Sequence, residues 1–279
     1  MLIEPLQRQG QQIFVGDFIP DFVILNNDLS DGIPEILQNL QQPLYPPAEL
    51  GWHQRLKSEH FQYYADVSKE FAASIEIDPW WIAPLFKHCG QIDFMNQEGM
   101  QCLSANVATL FAEIQKKYDE YQIPYKPFVI IKADAGTYGM AVMTIRHPDE
   151  IKQLNRKQRT QMSTSKGGQP VHRVIVQEGV YTFETSGNDQ SVAEPVVYLV
   201  GDCVIGGFYR VHEKRGVDEN LNTPGMQFVP LAFSRPCHLT KEHNTADPYS
   251  NRFYAYGVIA RLSMLAAARE IADQTGKSV

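Results

Sequence analysis

The sequence predicts an α+β protein built on antiparallel sheets. Three observations carry that reading: helical patterns fill much of the chain up to residue 121, strand patterns dominate from residue 122 onward, and no regular strand–helix–strand alternation occurs. Two domains are expected, residues 1–121 and residues 122–279. In the first, residues 12–15 and 22–25 read as short strands, and Tyr45-Pro46-Pro47 as a stiff connector. Residues 58–74 form an expected helix with Ser58 as N-cap and Glu59 in the first turn. Residues 78–84, DPWWIAP, make a proline-bounded aromatic segment suited to plugging a core. Residues 96–121 carry Leu103, Val107, Leu110, Phe111, Ile114, Tyr118 and Tyr121 at helical spacing, a packing stripe that needs no ligand.

The second domain opens on FVIIKADAGTYGM, residues 128–140. An apolar, β-branched strand ends at Lys132, a small-residue loop holds Gly136, Thr137 and Gly139, and a second apolar run covers residues 140–145. The expected element is a hairpin with a mobile glycine tip. Glycines there permit positive φ and close approach of backbone N–H groups to an anion, and lysine adds a compact cation suited to a phosphate oxygen. A plain hairpin turn with a surface lysine accounts for the same residues. The spacing matches neither GxxxxGK[ST] nor GxGxxG, and no helix follows, so P-loop and dinucleotide-fold readings are poor.

Further along, residues 148–160 read as a polar helix and residues 163–169 as a flexible loop. Residues 171–180 are a strand ending in Gln177-Glu178-Gly179-Val180, and residues 193–211 are a hairpin turning at Gly201-Asp202. A last strand falls in residues 226–233 and a long helix in residues 252–273.

Composition narrows the function classes. A net charge of −7 argues against an extended nucleic-acid-binding face. No apolar run approaches the roughly 18 residues that span a bilayer, and MLIEPLQRQG lacks the basic flank and apolar stretch of a signal peptide. Cys89, Cys102, Cys203 and Cys237 are widely spaced without a CxxC pair, which disfavours structural zinc and a disulfide framework. His53 and His60 are off the usual metal-ligand spacings. A cytoplasmic protein is expected.

Several residues then invite chemistry together. The strand end at Gln177 to Val180 can present backbone groups to a purine edge, or simply terminate a strand. Glu194 can hold Mg²⁺ or a ribose, and Arg210 can neutralise a phosphoryl group; each can equally be half of a surface ion pair. Asn220 and Asn222, in NLNTPG, offer hard oxygen ligands or build a turn. In the first domain Asn27, Asp28 and Ser30 follow an apolar strand, and Arg55, Lys57, Ser58 and His60 form a basic, polar cluster able to hold a carboxylate. A capping loop with solvated charges explains that cluster as well.

The order of these features resembles the ATP-grasp enzymes, especially the bacterial glutathione synthetase type. Whole phrases, ILNNDLSDG, GWHQRLKSEHF, PFVIIKADAGTYGM, GFYRVH and NLNTPG, are more closely similar to the proteobacterial ATP-grasp-like glutamate–cysteine ligase family, over essentially the whole chain. The resemblance implies an ATP-grasp-like nucleotide cleft between antiparallel sheets, preceded by a partial, largely helical substrate domain. Members are longer at the N-terminus, so the first domain is expected to be shortened. The implied substrates are ATP, glutamate and cysteine, with Mg²⁺ bridging the phosphates; no nucleic acid or membrane is implied, and self-association stays open. The implied reaction phosphorylates the γ-carboxylate of glutamate, and the cysteine amino group attacks the acyl phosphate, the first step of glutathione biosynthesis. Transferred by position, Lys132 contacts phosphates, Gly136, Thr137, Tyr138 and Gly139 form a lid, and Gln177, Glu178 and Val180 line the adenine pocket. Glu194, Asn220 and Asn222 approach the metal, and Arg210 stabilises the reacting oxygens with Tyr209 beside the substrate. Asn27, Asp28, Ser30, Arg55, Lys57 and His60 receive the amino acids. Another ATP-grasp carboxylate–amine ligase, or a shortened nucleotide-binding protein without activity, fits the same motifs.

Overall fold

A computed structural model describes residues 4–25, 27, 29, 32–48, 55–136, 139–165, 168–187, 189–230 and 250–276. Near the N-terminus, β1 (Gln7–Gln9) and β2 (Gln12–Phe14) form an antiparallel ladder, and β3 (Val23–Ile24) pairs in parallel with β4 (Leu44–Tyr45). Helix α1 (Lys57–Ser74), strand β5 (Phe86–Cys89) and helix α2 (Met100–Glu120) follow. Then come β6 (Val129–Ala133), β7 (Val142–Ile145), α3 (Arg156–Ser163) and β8 (Val174–Glu178). These strands make one antiparallel sheet in the order β5-β8-β6-β7. A second antiparallel sheet, in reverse chain order, holds β9 (Thr185–Ser186), β10 (Ser191–Val200), β11 (Cys203–His212) and β12 (Gln227–Pro230), and α4 (Ser250–Thr275) packs on α1 and β10.

The division expected at residue 122 falls between α2 and β6, two elements that pack into one hydrophobic core. β5, from the N-terminal side, pairs with β8, Phe86 opposite Gln177 and Cys89 opposite Val174. The change of sequence pattern there marks the order of elements along the chain, whereas packing joins them.

Alternation along β6 explains why one face of this sheet is core and the other a binding surface. Val129, Ile131 and Ala133 are buried with Val174 and Val176 beneath α2, whose Leu103, Val107, Leu110 and Ile114 are fully buried. Each such aliphatic side chain contributes about 1.5–3 kcal/mol when removed from water. Ile130 and Lys132, at the intervening positions, line a cleft on the opposite face.

Three element boundaries differ from expectation for local reasons. α2 begins at Met100 rather than near residue 96, because the Asp93 carboxylate accepts the N–H groups of Met95 and Asn96 in a turn. Its N-cap is Gly99 at φ +73°, where a Cβ would sit 2.1 Å from the Gln91 carbonyl oxygen. Ser58 is not the N-cap of α1. The helix opens at Lys57, and the Ser58 N–H and hydroxyl both donate to the Asp134 carboxylate, at 2.8 and 2.7 Å. The expected polar helix over 148–160 is two pieces, a 3₁₀ turn at Pro148–Gln153 and then α3. Asn155 and Gln158 close a capping box between them, starting a fresh helix.

Gly179 shows how tightly the strand end behind the cleft is packed. Its N–H donates to the Phe128 carbonyl, and a Cβ there would lie 2.1 Å from the Phe128 ring. Gly179→Ala is therefore expected to destabilise the fold by about 1–3 kcal/mol, as overpacking does. Denaturant unfolding measures it, and an unchanged midpoint would contradict the contact.

Candidate active site

The cleft between the two sheets encloses about 870 Å³, within the range of small-ligand sites. β6 delivers Lys132, β10 delivers Glu194 and Tyr198, β11 delivers Arg210 and β12 delivers Phe228. Glu194, Val196 and Tyr198 share a sheet face by alternation, and the register sets Glu194 against Arg210 and Arg210 against Phe228. The loop after β6 and the turn before β12 close one end with Gly136, Gly139, Asn220 and Asn222.

Lys132 Nζ donates to Gln177 Oε1 at 2.9 Å. Burial lowers its pKa, opposed by the charge of Glu194. Lys57 lies nearby on the first turn of α1 and donates to three backbone carbonyls at the root of the glycine loop. They are Ala133 at 2.9 Å, Asp134 at 3.3 Å and Gly136 at 2.9 Å. Burial pulls Lys57 down to about 8; the Asp134 carboxylate opposes this and the Lys132 charge adds to it. Lys57 thus ties α1 to the loop, with Asp134 as the reciprocal partner on Ser58.

The glycine loop rests on the asparagine turn. Gly136 has φ +95° and Gly139 φ +66°, and a Cβ on Gly139 would stand 2.9 Å from the Asn222 carbonyl oxygen. Within the turn, Asn220 Oδ1 accepts the Asn222 N–H at 2.9 Å. Thr137 and Tyr138 lie outside the described residues. Arg210 is ion-paired with Glu194, and its Nε is buried without a hydrogen-bond partner among the described residues. A buried guanidinium N–H in that condition carries a desolvation cost that an anionic ligand oxygen would offset.

The structure thus brings together Lys132, Gly136, Gly139, Val180, Glu194, Arg210, Asn220, Asn222 and Lys57. Gln177 joins through its bond to Lys132. Glu178 does not face this cleft. It shares the helix side with Val174 and Val176, and its carboxylate accepts Trp80 Nε1 at 2.9 Å and the Leu85 N–H at 2.9 Å. Burial raises its pKa against those two bonds. Tyr209 lies one residue from Arg210 in β11, on the opposite sheet face, and its hydroxyl donates to Glu184 at 3.0 Å. Asn27 Oδ1 accepts the Leu29 N–H at 2.8 Å in a local turn, and Asp28 and Ser30 lie outside the described residues.

Arg55 and His60 are committed elsewhere. Arg55 grips Glu270 of α4 with two bonds, Nε to Oε1 at 2.7 Å and Nη2 to Oε2 at 2.6 Å, and His60 Nδ1 lies 3.1 Å from Oε2. Glu270 is fully buried; burial pushes its pKa up, but the bonds from His60 and Arg55 outweigh that and leave it below the ordinary value.

Two acids and two aromatics at the cleft escaped sequence reasoning: Asp218, Glu219, Tyr198 and Phe228. Asp218 accepts Arg146 Nε at 2.9 Å, and Glu219 accepts the Gly216 N–H at 2.7 Å, so both acids brace loops. Counting by twos from Glu194 would have found Tyr198. Among the described residues no group of three or more His, Cys, Asp or Glu side chains is arranged to hold a metal. A hard cation here would rest on Glu194, the asparagine amides and ligand oxygens, as magnesium sites with few protein ligands do.

Comparison with known proteins identifies the family of the chain. The family model for glutamate-cysteine ligase matches residues 1–271. A solved structure from Methylobacillus flagellatus KT, provisionally assigned as a gamma-glutamylcysteine synthetase, is 50% identical with a TM-score of 0.84. The alignment covers 97% of this chain and 63% of that one, so the chain spans less than two thirds of that relative's length. D-alanyl-alanine synthetase A from Vibrio cholerae O1 biovar eltor is far more distant, 12% identical with a TM-score of 0.38, over 93% of this chain and 65% of that one. No curated protein matches the chain.

Proposed function

We propose that this chain, which belongs to the glutamate-cysteine ligase family, joins the γ-carboxylate of glutamate to the amino group of cysteine at the expense of ATP. The observation that carries the proposal is the convergence of Lys132, Lys57 and the part-orphaned Arg210 on a cleft edged by a glycine loop. An ATP-grasp architecture is the corresponding reading of two antiparallel sheets facing across that cleft. The substrates are taken as small molecules met in the cytoplasm; among the described residues no helix is long and apolar enough to cross a membrane.

In this reading Lys132 neutralises phosphate oxygens, and the N–H groups around Gly136 and Gly139 line the same anion. Val180 borders the base, and Gln177 holds the Lys132 ammonium in position. Arg210 stabilises negative charge that develops as the carboxylate is activated and again as the amine attacks. Magnesium, held with help from Glu194, Asn220 and Asn222, would supply charge neutralisation between phosphates. Phe128, Tyr198 and Phe228 give the cleft apolar walls against which a nucleotide base can pack. Phosphoryl transfer asks mainly for alignment and charge neutralisation, so no protein nucleophile is required.

Glutamate carrying ¹⁸O in its γ-carboxylate tests this. The expected result is one ¹⁸O in the released phosphate, with cysteine present; phosphate free of label would exclude an acyl phosphate.

The lysines also set a pH dependence. Lys57 titrates at about 8 in the free protein, with burial the largest cause. A bound polyphosphate favours the ammonium form and raises that value, so affinity is full below pH 8 and falls as pH rises through it. Calorimetry near pH 8 in buffers of different ionisation enthalpy should record proton uptake on binding. Absence of uptake, with ATP bound, would contradict placement of the phosphates near Lys57.

A further inference from the structure

Away from the cleft, on the helix side of the first sheet, two thiols are in contact. Cys89 ends β5 and is buried, whereas Cys102 in the first turn of α2 is exposed. Their sulfurs are 3.7 Å apart, and the Asn106 amide reaches both, at 3.1 Å from Cys89 and 3.8 Å from Cys102. Thirteen residues separate them along the chain, and Gly99, with its positive φ, folds the intervening segment back so that the pair meets. We propose that Cys89 and Cys102 are a reversible redox-modification site that forms an intramolecular disulfide by exchange with a small-molecule disulfide. This inference is independent of any activity at the cleft.

The roles follow from exposure. The Cys102 thiolate attacks one sulfur of R–S–S–R, and the expelled RS⁻ takes up a proton. Cys89 then loses its proton and attacks the Cys102 sulfur, forming the Sγ–Sγ bond and expelling the second RS⁻. Two protein thiols are oxidised and one small disulfide is reduced to two thiols. Burial pushes the Cys89 thiol up to about 11, which makes it a poor first nucleophile, while the N–H of Asn106 favours its thiolate in the resolving step. The sulfurs must close from 3.7 Å to about 2.05 Å.

Cystine is the probe. Both cysteines fall in one tryptic peptide, residues 88–116, so oxidation should lower that peptide's mass by about 2 Da and block its alkylation. Dithiothreitol should restore both, and Cys102→Ser should abolish the effect. Cys89→Ser should instead trap a mixed disulfide on Cys102. Exposed Cys203 is an internal control. Both thiols still alkylating after cystine treatment, or an unresolved mixed disulfide on Cys102 in the unaltered protein, would overturn the proposal.

Discussion

Lys132→Met is expected to lower turnover in the proposed ligation by at least about 10²–10³-fold, the scale of losing one charged donor aimed at a developing anion. The substitution keeps the aliphatic stem and removes the ammonium. Lys132 stands at the C-terminal end of β6 on the cleft face, and it is half-buried. Nothing else on the sheet can replace it: Ile130 and Val142, its neighbours on that face, are apolar. The cost to folding should be smaller, about 1–3 kcal/mol, because Gln177 Oε1 loses its donor. A folded variant that still turns over normally would remove Lys132 from the mechanism.

The second large effect lies outside the cleft. Glu270→Ala should destabilise the protein by about 3–5 kcal/mol, the penalty for breaking a buried pair and leaving its partner uncompensated. Arg55 donates two bonds to this fully buried carboxylate, and Arg55 is only partly exposed. The pair fastens α4 to the start of α1, beside the Tyr64, Val67, Leu262 and Ala266 cluster. Denaturant midpoints report the loss. Because the folded-state pKa of Glu270 lies below the ordinary 4.5, its contribution is full above that pH and disappears as pH falls below it. Wild-type stability should therefore fall in acid more steeply than that of Glu270→Gln, and parallel profiles would contradict the assignment.

Where sequence reading succeeded, a short-range pattern carried the information. The α2 stripe, the Gly201-Asp202 hairpin and the lysine-ended strand followed by glycines are all set by periods of 3.6 or 2 and by turn chemistry. Lys132, near the end of β6, Glu194 and Arg210, paired within the β10–β11 hairpin, and the asparagine turn before β12 all line the cleft, and each belongs to such a local pattern. The failures are of two kinds. The resemblance sets Glu178 in the adenine pocket and Tyr209 beside the substrate, yet each is the strand neighbour of a residue at the cleft, Gln177 and Arg210, and neighbouring residues in a strand point to opposite faces. The Arg55, Lys57 and His60 cluster is contiguous in sequence but splits in space. Lys57 turns to the glycine loop, while Arg55 and His60 meet Glu270, a partner 215 residues from Arg55 that no local pattern announces. Asp134 is a similar case. It reads as part of a loop, yet it is completely buried and fixes the first turn of α1.

That connection gives the cleft its proposed logic. The loop that would cover the phosphates shares its root with the helix beside them, through Lys57 and Asp134, and rests its far end on the Asn220–Asn222 turn. Loop, helix and second sheet are thus already in contact around the cleft in which the proposed nucleotide would lie.

The proposed ligation is tested most directly by phosphate release from Mg-ATP with glutamate alone, cysteine alone and both together, with the product weighed by mass spectrometry. Full release is expected only with both amino acids, with a product of γ-glutamylcysteine mass. Equal release without cysteine, or release supported only by a different acid and amine, would contradict it.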